Sequence, residues 1–456
     1  MKNTNILQAA ALSLSLLAGS VMAAVSEQEA AQLGVTLTPL GAEMAGNADG
    51  SIPAWTGGLS TTAAAVDSKG FLADPFAAEQ PLFTITAANL EQYQSKLSPG
   101  QVALFKRYPE SYKIPVYPSH RTAAVPDAIY AAAKTSALKT SAVDGGNGLR
   151  NFNDSRYYAF PIPKDGIEVV WNHITRYHGG NTRRTVAQAT PQVNGSYSLV
   201  RFEDEVAYPA EMSDREPGKG ENVLLYFKQR VTAPSRLAGN VLLVHETIDQ
   251  VKEPRLAWIY NAGQRRVRRA PQVAYDGPGT AADGMRTADN FDMFSGAPDR
   301  YDWQLIGKKE LYIPYNSFKL DSPNLKYDDI IRAGHINQDH TRYELHRVWE
   351  VVATLKKGER HIYAKRHMYF DEDTWQLSLV DHYDGRGQLW RVAEGHAQQY
   401  FNHKVPGYTL EALYDLVAGR YLALGMKNEE RSAYNFGFKA SSVDYTPAAL
   451  RNTGVR

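Results

Sequence analysis

Residues 343–401 read YELHRVWEVVATLKKGERHIYAKRHMYFDEDTWQLSLVDHYDGRGQLWRVAEGHAQQYF. Four runs that alternate with a period of two are separated by Lys356-Lys357-Gly358-Glu359, Asp371-Glu372-Asp373-Thr374 and Asp384-Gly385-Arg386-Gly387. Tight turns between alternating runs predict an antiparallel meander. Two-residue loops at 357–358 and 372–373 would set Glu350 against Lys365, Val348 against His367, Tyr363 against His382 and Phe370 against Trp375. One face then collects Glu344, His346, Glu350, His361, Tyr363, Lys365, His367 and His382, whose histidines read as surface residues. The other collects Leu345, Trp349, Val351, Leu355, Ile362, Met368, Phe370, Leu377 and Leu379. A one-residue slip would scramble that separation, so the pattern supports the register.

Three charges interrupt the apolar face: Arg347, Arg366 and Asp381. In this register Arg366 lies diagonally beside both others. A charge on an apolar face is costly unless paired. Three readings follow. The three form an internal ion pair that fixes register, one arginine is left over to anchor the anionic head of a ligand, or the register itself is wrong.

Outward from the meander, period-two runs at 167–173, 196–203, 222–231, 240–249, 255–261, 265–270 and 301–314 are further candidate strands. Val223-Leu224-Leu225-Tyr226-Phe227 and Val241-Leu242-Leu243-Val244 are apolar on both faces, so they need cover on both sides. Helices are expected near 26–33, 86–93, 99–108 and 126–139, with turn formers over 46–58 and an exposed linker over 60–80. The Gly- and Asn-rich stretch 140–150 divides a helical or irregular N-terminal segment, 24–150, from a mainly β region, 151–456, with a C-terminal helical tail.

Residues 1–23 follow the order of a secretory signal peptide: Lys2, an apolar stretch from Ile6 to Ala18, then Val21-Met22-Ala23. That points to the periplasm of a Gram-negative cell. The apolar stretch is shorter than the ~20 residues a bilayer-spanning helix needs, and no later stretch qualifies. Leu17-Ala18-Gly19-Ser20 resembles a lipoprotein box with serine where the lipidated cysteine belongs. The chain has no cysteine, which excludes thioether lipidation, disulfides and thiolate chemistry. The net charge is +1, and Lys2 is the only charged residue before Glu27, so removing 1–23 leaves 0. Neutrality argues against bulk electrostatic binding to nucleic acid or anionic membrane.

No His-Glu-x-x-His, Gly-x-Ser-x-Gly or P-loop pattern is present, and Ser136-Ala137-Leu138-Lys139 lacks the motifs that accompany Ser-x-x-Lys. Asn47-Ala48-Asp49-Gly50 lacks the first and twelfth ligands of a calcium loop. No catalytic residue, cofactor or metal site is expected. Arg265-Arg266-Val267-Arg268-Arg269 is the densest charge run, either a solvated edge or a grip on an anionic partner.

Several segments carry a resemblance: Leu37-Thr38-Pro39-Leu40-Gly41-Ala42-Glu43, the Gly46–Gly58 stretch, Trp258-Ile259-Tyr260-Asn261-Ala262-Gly263-Gln264-Arg265-Arg266-Val267-Arg268-Arg269-Ala270-Pro271, Asp299-Arg300-Tyr301-Asp302-Trp303 and Tyr369-Phe370-Asp371-Glu372-Asp373-Thr374-Trp375. Together they resemble the proteobacterial family called domain of unknown function 1329, which is similar to periplasmic lipoprotein carriers and receptors. The resemblance implies a large curved antiparallel sheet or half-barrel plugged by helices, and a non-catalytic carrier of lipid, lipoprotein or another hydrophobic ligand. Ligand contacts are expected at Trp258, Tyr260, Arg347, Trp349, Arg366 and Asp381, and anionic-partner contacts at Arg265, Arg266, Arg268 and Arg269. The alternatives are an adaptor for outer-membrane and transporter proteins, or an unrecognised hydrolase.

Overall fold

The computed structural model describes residues 25–152, 156–216, 221–250, 252–271 and 273–454. The expected signal peptide lies outside them. The strands are β1 (Phe83–Ile85), β2 (Ile114–Val116), β3 (Ser141–Val143), β4 (Gly148–Arg150), β5 (Thr182–Ala189), β6 (Leu199–Ala207), β7 (Val223–Ala233), β8 (Val241–Thr247), β9 (Leu256–Asn261), β10 (Arg266–Arg269), β11 (Tyr301–Pro314), β12 (Tyr343–Leu355), β13 (Lys365–Asp371), β14 (Leu377–Tyr383), β15 (Leu389–Tyr400), β16 (Val405–Asp415), β17 (Arg420–Met426) and β18 (Asn435–Phe436). The helices are α1 (Glu27–Ala30), α2 (Leu90–Tyr93), α3 (Pro99–Arg107), α4 (Asp127–Lys139), α5 (Gly166–Ile174), α6 (Tyr327–Ile330) and α7 (Leu450–Gly454).

Sixteen strands make one open, curved sheet in the order β1-β2-β12-β13-β14-β15-β16-β17-β5-β6-β7-β8-β9-β10, with β11 also on β12 and β18 on β5. Neighbours are antiparallel except for one parallel bridge, Tyr343 to Val116. The segment before 150 is therefore not wholly helical or irregular, because it supplies β1 and β2 to the sheet's edge.

The meander exists, but its register differs from the expected one. Glu350 pairs with Tyr369 and Val352 with His367, because the β12–β13 connection is a longer loop in which Leu355 N–H donates to Ala364 O (2.9 Å). That four-residue shift leaves the faces unchanged. On the next strand Arg366 pairs with His382, and His367 with Asp381, after a bulge at Tyr369/Phe370. The turn is also longer than two residues. Asp371 N–H donates to Gln376 O (2.8 Å), and Trp375 adopts φ 61°. This odd-numbered shift turns β14 over. Arg366 and Asp381 consequently project from opposite faces and do not pair.

Each of the three buried charges has another partner. Asp381 sits at the N-terminus of α3, where Ser98 Oγ donates to it (3.1 Å) and the Gly100 N–H points at it. A Cβ on residue 100 would lie 2.1 Å from Asp381 Oδ1, which explains glycine there. Burial pushes the Asp381 carboxyl up to about 7, against the pull of those donors. Arg347 bonds Glu372 (2.6 Å). Arg366 bonds Asp289 (2.6 Å), while the rings of Phe294, Tyr301 and Tyr363 flank its guanidinium. The histidines read as surface residues are mostly inside: His346 and His382 are buried, and the His361 side chain is fully enclosed.

Residues 166–174 form a helix where a strand was expected. Ile167-Glu168-Val169-Val170-Trp171 is a short apolar run, for which periodicity does not separate a strand from a buried helix. Capping decides it: Asp165 accepts the Glu168 N–H (3.0 Å). Residues 166–173 of α5 are buried, and Trp171 Nε1 donates to Gly146 O (2.7 Å).

Both faces of the β5–β9 half are covered, as its two-faced apolar strands require. On one face Phe227, Leu242, Val244 and Ile259 pack with Ala270 and Val273, beneath the segment 273–295. On the other, Tyr226, Leu243, Trp258 and Tyr260 pack with Ala440, Tyr445 and Leu450 of the C-terminal tail.

The segment 273–295 is tied down by two acids. Asp289 accepts from Arg366 and lies 3.0 Å from His361 Nε2. Asp292 bonds Arg176 and lies 3.2 Å from His178 Nε2. Burial alone would raise both carboxyls. The arginine charges and the histidine hydrogen bonds outweigh it and hold both well below the usual carboxylate range. Folded-state pKa values below the unfolded ~3.9 give stability that is complete above about pH 5 and is lost as the pH falls through 4 and below. Near the opposite end, Arg121 clamps the N-terminal segment. It bonds both Asp373 oxygens (2.6 and 2.9 Å) and the carbonyls of Glu43, Met44, Ala45 and Pro53.

Denaturant unfolding of Asp289→Asn is expected to show a loss of about 3–5 kcal/mol at pH 7, since Arg366 is left buried without its counter-charge. The difference from the parent should shrink as the pH drops below 4, where protonation of the aspartate in the unfolded chain removes the parent's advantage. A constant difference across pH 3–7 would contradict the assignment. Arg121→Met should open residues 42–58 to limited proteolysis while the sheet resists it. Uniform susceptibility along the chain would contradict a local clamp.

Candidate functional site

A cavity of about 170 Å³ lies between the covered face of the sheet and the segment 273–295. Strand alternation brings Thr182 and Arg184 of β5, Asp204 and Val206 of β6, Phe227 and Gln229 of β7, and Leu242 and Val244 of β8 to this face. The C-terminal end of α5 and the residues after it add Ile174, Arg176 and His178. Val405 and Tyr408 of β16, with Tyr434 and Phe436, close a further side. Pro278, Gly279, Arg286, Phe291 and Phe294 form the roof. An engineered apolar cavity of ~150 Å³ holds one benzene ring. The enclosed space therefore suits one ring or a short stretch of aliphatic chain, and a longer chain would have to leave through the mouth.

The wall is apolar with a belt of charge. Four arginines and three acids line it. Arg176 pairs with Asp292, Arg184 with Asp204 (3.1 Å), and Arg255 with Glu246 (2.6 Å). Burial raises the carboxyls of Asp204 and Glu246, although Arg184 and Arg255 counter it. Burial, reinforced by Arg176, lowers the His178 imidazole and keeps it neutral at pH 7.

Chemistry within the cavity is limited by these contacts. His178 has Asp292 on Nε2 and the Tyr208 hydroxyl on Nδ1 (2.9 Å). Among the described residues no serine or threonine hydroxyl bonds its ring, so a hydroxyl nucleophile activated by this base is not assembled. Tyr208 does not substitute, because burial and then Glu211 raise its hydroxyl well above its ordinary value.

His346, Asp371 and Asp373 bring three ligand atoms within 4.8 Å of one another, a cluster the sequence does not announce. Arg121 already occupies both oxygens of Asp373, and Thr374 donates twice to Asp371 Oδ2. Burial and the neighbouring Asp373 push Asp371 up to about 7. With Asp373 held by Arg121 and Asp371 by Thr374, the cluster serves the clamp on the N-terminal segment.

The structure separates the residues expected to form the ligand site. Arg347, Trp349, Arg366 and Asp381 are not in the cavity wall, although Arg366 fixes the roof through Asp289. Trp258 and Tyr260 lie on the opposite face, under the C-terminal tail. Arg265, Arg266, Arg268 and Arg269 are exposed on or beside edge strand β10, and none has an ion-pair partner among the described residues. The wall residues of β7 and β8 were legible as apolar strands. The roof was not. Its only sequence signal is Phe291-Asp292-Met293-Phe294, an aromatic cluster inside a turn-like stretch.

An uncharacterised protein of Pseudomonas aeruginosa is 70% identical over 457 residues, covering 100% of both chains. Among solved structures, a candidate outer membrane lipoprotein-sorting protein domain from Vibrio parahaemolyticus is 14% identical with a TM-score of 0.43, covering 63% of this chain and 98% of its own. A LolA superfamily protein from Nitrosomonas europaea is 12% identical with a TM-score of 0.38, covering 62% and 98%. Residues 84–451 match the family described as "Protein of unknown function (DUF1329)", and the chain belongs to that family.

Proposed function

We propose that this protein is a non-catalytic periplasmic carrier that holds a lipid-like or other hydrophobic ligand between its sheet and the segment 273–295. The observation that supports this most is the cavity itself, an apolar space under a roof held by two ion pairs instead of a filled core. Ligand sites are typically concave, mostly apolar and provided with a few fixed polar groups. The leader-like residues 1–23 favour export. Among the described residues no helix is long and apolar enough to cross a membrane. The histidine in the wall has both nitrogens engaged, which favours binding over hydrolysis.

A second reading has its own observation. The four exposed arginines at β10 stand on a sheet edge with no ion pair among the described residues. They suit contact with an acidic partner protein, which would make the carrier part of an envelope assembly.

The mature protein is expected to bind the hydrophobic dye N-phenyl-1-naphthylamine with a blue-shifted, enhanced emission. Leu242→Trp fills the cavity and should weaken dye binding at least tenfold while the protein stays folded by circular dichroism. Equal dye affinity in parent and variant, or no binding by the parent, would remove the cavity from the account.

A further inference from the structure

We infer that the cavity is built for an anionic amphiphile, whose carboxylate or phosphate head is held by Arg286 while its apolar tail lies along Phe227, Leu242 and Val244. This rests on the carrier reading and narrows its ligand class.

Arg286 differs from every other arginine in the wall. It is only 5% exposed, yet no carboxylate among the described residues lies within ion-pair distance of it. Among the described residues its guanidinium makes one hydrogen bond, a long one of 3.4 Å from Nη1 to the Thr287 carbonyl, and its Nε is buried without a partner. Five guanidinium donors in a fork suit bidentate binding of a carboxylate or phosphate, and here most of them are free. The nearest acids give limited compensation. Burial and the neighbouring Asp292 push Glu411 up to about 7, while Asp204 is committed to Arg184 and Asp289 to Arg366. The Phe291 ring lies 5.3 Å from the Arg286 guanidinium and 5.8 Å from that of Arg184, a weaker offset than an ion pair.

The local backbone holds this arrangement. Gly279 N–H donates to Arg286 O (2.9 Å), so the two residues face each other across a short bridge in the roof. A Cβ on residue 279 would fall 2.8 Å from Arg286 Cζ, so glycine leaves the room in which the guanidinium sits. A buried cation without a counter-ion is costly to the folded state. An arriving anion supplies that counter-ion, and the apolar wall beside it excludes a small hydrated ion that brings no tail.

Calorimetric titration of the full mature protein with octanoate, octyl phosphate and 1-octanol tests this. The parent is expected to bind the two anions at least tenfold more tightly than the alcohol. The tighter of the two distinguishes a fatty-acid head from a lipid phosphate. Arg286→Met should erase the preference, keep the affinity for 1-octanol, and unfold at the same temperature as the parent or higher. A lower unfolding temperature with the preference retained would mark Arg286 as structural and overturn the inference. Gly279→Ala keeps the charge but displaces the guanidinium. It should also reduce the preference, and it serves should Arg286→Met fail to fold. Equal binding of anions and alcohol by the parent would overturn the head-group assignment and leave the carrier reading standing. Binding of none of the three, with no dye binding, would overturn both.

Discussion

Asp289 and Asp292 fasten a long, turn-rich segment across the sheet, and the cavity depends on that attachment. Each acid meets an arginine and a histidine that belong to other elements: Arg366 and His361 for one, Arg176 and His178 for the other. Guanidinium groups standing between the segment and the sheet prevent the two from closing into a dry apolar layer. Replacing buried ion pairs by apolar side chains is often neutral or stabilising, so such pairs are poor explanations of stability. Here they set position. The roof is held at a fixed height by charge, and the unfilled space beneath it is what remains.

The rest of the architecture serves the same constraint. Strands β7 and β8 are apolar on both faces, so the sheet needs two covers. The C-terminal tail supplies one and the segment 273–295, beside α5, supplies the other. The tail packs closely on Trp258 and Tyr260. The segment leaves its face partly open, contributing Arg286 and Asp292 to a wall that holds four arginines and three acids in all. An asymmetry of this kind, one filled face and one charged and hollow face, is expected of a binding protein more than of a scaffold.

Much of the sheet was legible because alternation and turn chemistry are local. The run 301–314 coincides with β11, and the expected helices near 99–108 and 126–139 correspond to α3 and α4. Three features escaped the sequence reading. Register failed at the bulge beside Tyr369, where one extra residue moved Asp381 away from Arg366. Helix α5 was read as a strand because Ile167, Val169, Val170 and Trp171, four apolar residues, suit either form until the Asp165 cap is seen. The candidate site was the least legible part. Its charged residues, Arg176, Arg184, Arg286 and Asp292, come from distant stretches whose meeting is decided by sheet order. The arginines that did stand out, Arg347 and Arg366, proved to be engaged in fixing loops.

The claim that matters most is that the space under the segment 273–295 is occupied in the cell by a hydrophobic molecule. Native mass spectrometry of the protein released gently from cells of its own host measures this directly. The account predicts a discrete added mass, one molecule per chain, that disappears on organic extraction and reappears in the extract as an anionic amphiphile. A population carrying only the mass of the polypeptide, with nothing recovered in the extract, would contradict it.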